Sequence, residues 1–138
     1  MTALYWLGLT GAMTALFWMP YVLNRFVVLG IWGSMQNLAP GDNERLAAWA
    51  QRTRLAHANA VENLAVFVTL VLVAHGLGVS TQGAVVLAAQ IYFWARLVHF
   101  VVYAIGLPGL RTVAFLAGFG AQIMVALAIL SAGAKALT

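Results

Sequence analysis

Four apolar runs fill this chain, each at least about as long as the roughly 20 residues that cross a bilayer as a helix. That feature leaves few folds open. In lipid every backbone N–H and C=O must find its partner within the protein, so consecutive runs of this length fold as helices. The runs cover about residues 3–35, 43–75, 80–105 and 110–134. They predict an all-α integral membrane protein, one four-transmembrane-helix bundle over residues 1–138. Pro20 and the pair Asn24-Arg25 interrupt the first run, and proline removes a backbone bond, so a long helix kinked near Pro20 is expected. Pro40-Gly41-Asp42-Asn43 is a turn signal, and Asp42 or Asn43 is the expected cap of the second helix. Gly76-Leu77-Gly78 closes that helix, with Ser80 or Thr81 expected to cap the third. Gly106-Leu107-Pro108-Gly109 separates the third from the fourth.

Composition agrees with this reading and narrows the chemistry. Hydrophobic residues make up 64% of the chain and charged residues 7%, against roughly 25% charged in a soluble domain. Cysteine is absent, which excludes disulfides, zinc thiolates and a protein thiol nucleophile. His57 and His75 have no partner at ligand spacing, so no metal site is expected. The charge of +4 is not gathered into a basic stripe outside the lipid, and nucleic acid is not an expected partner.

The N-terminus has no Lys or Arg before its apolar run and reads as the first span rather than a signal peptide. Arg45, Arg52 and Arg54 flank the first connection and Arg111 follows the third, whereas the second has no charge. The positive-inside rule places the first and third connections in the cytoplasm and both termini outside. The lack of any targeting segment fits a bacterial inner membrane, with an endoplasmic reticulum membrane as the alternative. Small residues recur at four-residue spacing, Ala84 and Ala88 on the third run and Ala114, Gly118 and Gln122 on the fourth. Such rows let helices approach closely in lipid, and assembly into an oligomer with sites between subunits is expected.

The few charges do not sit where lipid would put them. An ionisable side chain at mid-membrane costs about 2.5–3.5 kcal/mol on insertion scales, so it is paired or lines a polar site. At 100° per residue Arg52 falls within about 20° of Asn59, and Glu62 is three residues beyond, giving one polar stripe on the second helix. Arg54 points about 140° away from Asn59 and is expected at the headgroup level. Tyr92, Arg96, His99 and Tyr103 follow i, i+4, i+7, i+11 on the third helix. Arg111 and Thr112 open the fourth, where free backbone N–H groups add positive potential. A structural ion pair between Glu62 and Arg96 is the plain alternative to a ligand site, and the two are compatible. Arg25 either snorkels or pairs with an acid.

The stretch Arg52-Thr53-Arg54-Leu55-Ala56-His57-Ala58-Asn59-Ala60-Val61-Glu62 resembles the signature of the MAPEG family, membrane-associated proteins in eicosanoid and glutathione metabolism. Arg96-Leu97-Val98-His99-Phe100-Val101-Val102-Tyr103, followed by Arg111-Thr112, resembles its second region, and the chain looks like a bacterial-type member. The resemblance implies a homotrimer with a glutathione site between subunits. It implies activity as a glutathione-dependent transferase or peroxidase on lipophilic electrophiles or lipid hydroperoxides. Glutathione would be a co-substrate, and membrane lipid and a lipophilic small molecule the other partners. By correspondence Asn59 and Glu62 would hold the peptide part, with Arg52, Arg96, His99 and Tyr103 completing the cradle. Arg111 would stabilise the thiolate, with Thr112 as a second donor.

The chain departs from the family pattern at Leu55, where the family often has Arg, at Ala58, where several members have Arg, and at Phe115, where some have Tyr. Its first run ends Ser34-Met35-Gln36-Asn37 rather than in a basic segment. Two other readings remain open: a small four-helix transporter using Glu62, and a protein of this fold that binds another amphiphile without glutathione activity.

Overall fold

The computed structural model describes residues 1–37 and 39–136. Its elements in chain order are α1 (Ala3–Leu16), α2 (Met19–Met35), α3 (Ala48–Gly76), α4 (Gly83–Ile105) and α5 (Pro108–Ala136). Among the described residues there are four helical segments long and apolar enough to cross a membrane, with α1 and α2 together forming the first.

The first span breaks at Phe17-Trp18, just ahead of the expected position. Pro20 has no N–H to return to the Leu16 carbonyl, and the chain tightens there, the Phe17 N–H bonding to Thr14 O at 3.1 Å. The Phe17 ring then stacks on Phe100 of α4, centroids 3.9 Å apart, which holds the break against the bundle. Beyond it α2 buries none of its residues and packs on α3.

The second span starts later than 43, the first helical residue being Ala48. Asp42 and Asn43 do not cap it. The Asp42 carboxylate instead accepts the Ala39 N–H at 2.9 Å, and successive three-residue bonds (Asp42 N–H to Ala39 O, Glu44 N–H to Gly41 O, Leu46 N–H to Asn43 O) wind this segment into turns. The Ala47 N–H at the start of α3 is taken by Asn24 Oδ1 of α2 at 3.0 Å. A tertiary contact thus replaces the local cap.

Helix ends follow glycine. Gly78 and Gly106 both have positive φ, 72° and 82°. In each case the next residue reaches back five positions, Val79 N–H to Ala74 O and Leu107 N–H to Val102 O, which satisfies carbonyls the helix leaves open. Ser80 and Thr81 do not cap α4. The Ser80 carbonyl accepts the Ala3 N–H at 3.2 Å and its hydroxyl meets His75 Nδ1 at 3.1 Å, so Ser80 ties the N-terminus to the second connection. Extended Gln82 precedes α4, which starts at Gly83 rather than 80. The last helix begins at Pro108 rather than 110, proline being well suited to a first helical position, and extends past 134 to Ala136.

These ties give the bundle two unlike ends. Near the N-terminus and the second connection lies an apolar core of Phe67 and Val71 of α3, Val85, Ala88 and Tyr92 of α4, and Val125 of α5. The Phe67 and Tyr92 rings stack at 3.8 Å. At the other end, where α3 starts and α4 finishes, the interior is polar. Leu72, Trp94, Val98 and Leu116 are among the large apolar side chains that face outward, as lipid contact requires. The row Ala114, Gly118 and Gln122 is buried inside the single chain against α4, as is Ala88, while Ala84 is exposed. That spacing therefore serves packing within one chain.

Candidate functional site

The polar end is organised around Arg96. Its side chain is 1% exposed, inside the bundle, and its Nη1 donates to Asn59 Oδ1 at 3.2 Å. Its guanidinium lies 5.2 Å from the Tyr92 ring centre and 5.3 Å from that of Phe115, both within cation–π range. Gly118 of α5 makes room for it: a β-carbon there would stand 2.6 Å from Arg96 Nη2. The Nε and Nη2 atoms are buried and have no hydrogen-bond partner among the described residues. Arg96 thus keeps a charge in the interior with one amide oxygen and two aromatic faces around it.

A relay of amides extends from this point. Asn63 Nδ2 donates to Asn59 O at 2.9 Å, and Gln122 Nε2 of α5 donates to Asn63 O at 3.1 Å. Asn59 therefore links α3 and α4, and Asn63 links α3 and α5. Asn63 carries no signal of its own in the sequence. Gln122 and Gly118 were visible as a helical row whose partner was unknown.

One turn further along α4, His99 is 3% exposed, its ring edge-on to Tyr103 at 5.6 Å and near Phe115 at 6.3 Å. Tyr103 is half-buried, and its ring carries the Arg111 guanidinium 4.4 Å from its centre. Tyr92, Arg96, His99 and Tyr103 do share one face of α4, and Arg111 joins them from α5. Thr112 is exposed and its hydroxyl bonds back to the Pro108 carbonyl at 3.1 Å.

The stripe expected on α3 separates into three environments. Arg52 reaches to the end of α4, where Nε donates to Ala104 O at 2.8 Å beside Gly106. Asn59 turns inward to Arg96. Glu62 is exposed at the midpoint of Ala48–Gly76 and makes no ion pair among the described residues, so the Glu62–Arg96 bridge is absent within one chain. The one ion pair among them is Arg45–Asp42, at 3.9 Å and partly exposed. Arg52, Arg96 and Arg111 are therefore three cations without a carboxylate partner, gathered toward one end of the bundle. Arg52, Tyr103 and Arg111 are partly exposed, whereas Arg96 and His99 are closed within the chain. No group of three or more His, Asp or Glu able to hold a metal ion occurs among the described residues.

An apolar groove of about 540 Å³ runs along the outer side of α4 and α5, lined by Leu87, Ile91, Trp94, Val98, Leu110 and Val113, with Gln90 beside them. Its size is that of a site for a small lipophilic molecule or an acyl chain.

The family model for the MAPEG family matches residues 2–131. Searches of curated proteins and of solved structures return no significant match.

Proposed function

The chain belongs to the MAPEG family, and from that premise we propose that it is a glutathione-dependent transferase or peroxidase of the bacterial inner membrane, acting on lipophilic electrophiles or lipid hydroperoxides. The observation that carries this reading is that Arg52 and Arg111, partly exposed, and Arg96, closed behind them, have no carboxylate partner among the described residues, while Glu62 faces outward and is equally unneutralised. Glutathione has two carboxylates, an amine and a thiol, and these groups complement that set. Glu62 faces out of the single chain at mid-membrane, where its cost in lipid is high. A homotrimer with glutathione between subunits removes that cost, with the Glu62 carboxylate receiving the amine. The bacterial-type orientation follows the charges of the connections, first and third in the cytoplasm and termini outside.

In this reading Arg111 holds the sulfur. A free thiol titrates near about 8.5, and the thiolate is the nucleophile. A guanidinium beside it favours the thiolate and has no proton to lose at working pH, while the Tyr103 ring fixes that guanidinium at 4.4 Å. The thiol proton leaves to solvent, the sulfur attacks the electrophilic carbon, and the leaving group departs with the bonding pair. Thr112 offers a second donor once its hydroxyl turns from Pro108. The lipid delivers the second substrate along the apolar outer surface, so orientation and thiolate stabilisation are the whole of the protein's task. Arg111→Ala tests this: turnover with a lipophilic halo-aromatic electrophile falls by at least about a hundredfold with the oligomer intact. Unchanged turnover refutes the thiolate role.

The groove between α4 and α5 favours a second reading, a protein of this fold that holds a lipid-like amphiphile without glutathione chemistry. Leu55, where the family often has Arg, and Ala58, where several members have it, point the same way. Saturable binding of such an amphiphile with none of glutathione distinguishes it.

A further inference from the structure

The first span carries its apolar residues past the end of the bundle. The hydrocarbon core of a bilayer is about 30 Å thick, and the 23 residues of α4 cover it at about 1.5 Å each. Arg52 Nε donates to Ala104 O in the last turn of that helix, which sets Arg52 at the edge of the hydrocarbon. Ala47 lies roughly 7 Å beyond that edge, and its N–H is held by Asn24 Oδ1. Asn24 of α2 therefore already stands among the headgroups. Residues 25–35 still belong to α2, and they turn Phe26, Val27, Ile31, Trp32 and Met35 outward, Val27 being 83% and Trp32 80% exposed.

Their surroundings say what covers them. Met19, Leu23 and Val27 step by four along α2 as one exposed row, and Ile31 and Met35 prolong it, so the row continues the lipid-facing wall of the span. The other side of the segment meets the connection: Val28, Leu29 and Gly33 line a pocket of about 250 Å³ with Gln36, Asp42 and Arg45. One side is apolar and the other polar, the pattern of an element lying in the plane of the interface. Gly30, with φ 72° and ψ 170°, interrupts the helix and redirects the chain, a conformation that favours glycine, and its carbonyl accepts the Ser34 hydroxyl at 2.7 Å. Tryptophan favours the headgroup level, where its ring meets lipid and its N–H meets water. We propose that residues 26–35 bend at Gly30 to lie along the membrane surface, with Val27, Ile31, Trp32 and Met35 inserted at the boundary of headgroups and acyl chains. The partner of this face is the lipid surface itself, since an upright helix would hold the same side chains in water. The inference does not rest on the glutathione reading, because none of the inserted side chains belongs to that set.

The chain has no cysteine, so a single introduced thiol takes a spin label cleanly. The test is label accessibility in the full-length protein, reconstituted in vesicles of phosphatidylcholine and phosphatidylglycerol. Oxygen serves as the lipid-soluble probe and a nickel chelate as the water-soluble one. Labels go on Val27→Cys, Ile31→Cys, Trp32→Cys and Met35→Cys, all exposed positions, with Leu116→Cys on the lipid side of α5 and Arg45→Cys on the connection as references. At the four sites oxygen relaxes the label more strongly than the chelate does, as at Leu116 and the reverse of Arg45. Adding Gly30→Ala to Trp32→Cys shifts that label toward the aqueous profile, because alanine disfavours φ 72° and lets the helix run straight on. Nothing lies within 4 Å of the added carbon, so the change acts through the backbone alone. Chelate accessibility at all four sites equal to that at Arg45 overturns the proposal and stands the segment in water. Labels shielded from both probes and broadened by one another also overturn it, and assign the face to a second copy. A Trp32 label unmoved by Gly30→Ala overturns the bend at Gly30.

Discussion

Arg96 on α4 is held by Asn59 on α3, through one hydrogen bond of 3.2 Å, and not by Glu62. An amide oxygen thus carries the interaction that the ion-pair alternative assigned to a carboxylate. Asn59→Ala leaves the buried guanidinium with aromatic faces alone. Hydrogen bonds to charged groups contribute about 1.5–3 kcal/mol, and a loss of that size is expected in detergent unfolding of the variant. Glu62→Gln, at an exposed side chain with no ion pair among the described residues, leaves the stability of the isolated subunit nearly unchanged.

Gly118 is set by the same guanidinium. Alanine in place of glycine ordinarily stabilises a helix by about 1 kcal/mol. At Gly118 the added carbon meets Arg96 Nη2 at 2.6 Å and Nε at 3.0 Å, so Arg96 must leave its seat or α5 must move. Overpacking of this kind costs about 1–3 kcal/mol. Gly120, two residues on and with nothing within 4 Å, is the control. A thermal melt should show Gly118→Ala destabilised and Gly120→Ala neutral or stabilised, and equal behaviour contradicts the cradle.

Gly106 is constrained twice. Its φ of 82° is costly for any residue with a β-carbon, and such a carbon would also lie 3.2 Å from Arg52 Nε. Gly106→Ala therefore both strains the end of α4 and disturbs the Arg52 bond to Ala104 O. Destabilisation beyond about 1 kcal/mol is expected, together with weaker ligand binding at the adjoining Arg111. Arg52→Ala leaves the backbone free of strain and removes the 2.8 Å bond together with one cation of the proposed glutathione set.

The four spans and their glycine ends were legible because hydrophobic length and positive φ are local properties. Gly78 and Gly106 end their helices wherever the chain goes next. The start of α3 was not legible, because what satisfies the Ala47 N–H is Asn24, twenty-three residues away on another helix. The α4 face was legible from spacing alone, since Tyr92, Arg96, His99 and Tyr103 all come from one rigid helix. The α3 stripe was only half legible. Over the ten residues from Arg52 to Glu62 the face drifts by about 80°, enough to carry Glu62 out to the surface. Arg52, at the other end, is long enough to leave its own helix for a carbonyl on α4.

The most direct test of the central claim is glutathione binding to the purified oligomer by calorimetry, wild type beside Glu62→Gln and Arg111→Ala. The account predicts saturable binding to the wild type, abolished in Glu62→Gln and weakened in Arg111→Ala, with all three eluting as trimers. A folded wild-type trimer that takes up no glutathione, or a Glu62→Gln variant that binds it undiminished, contradicts the account.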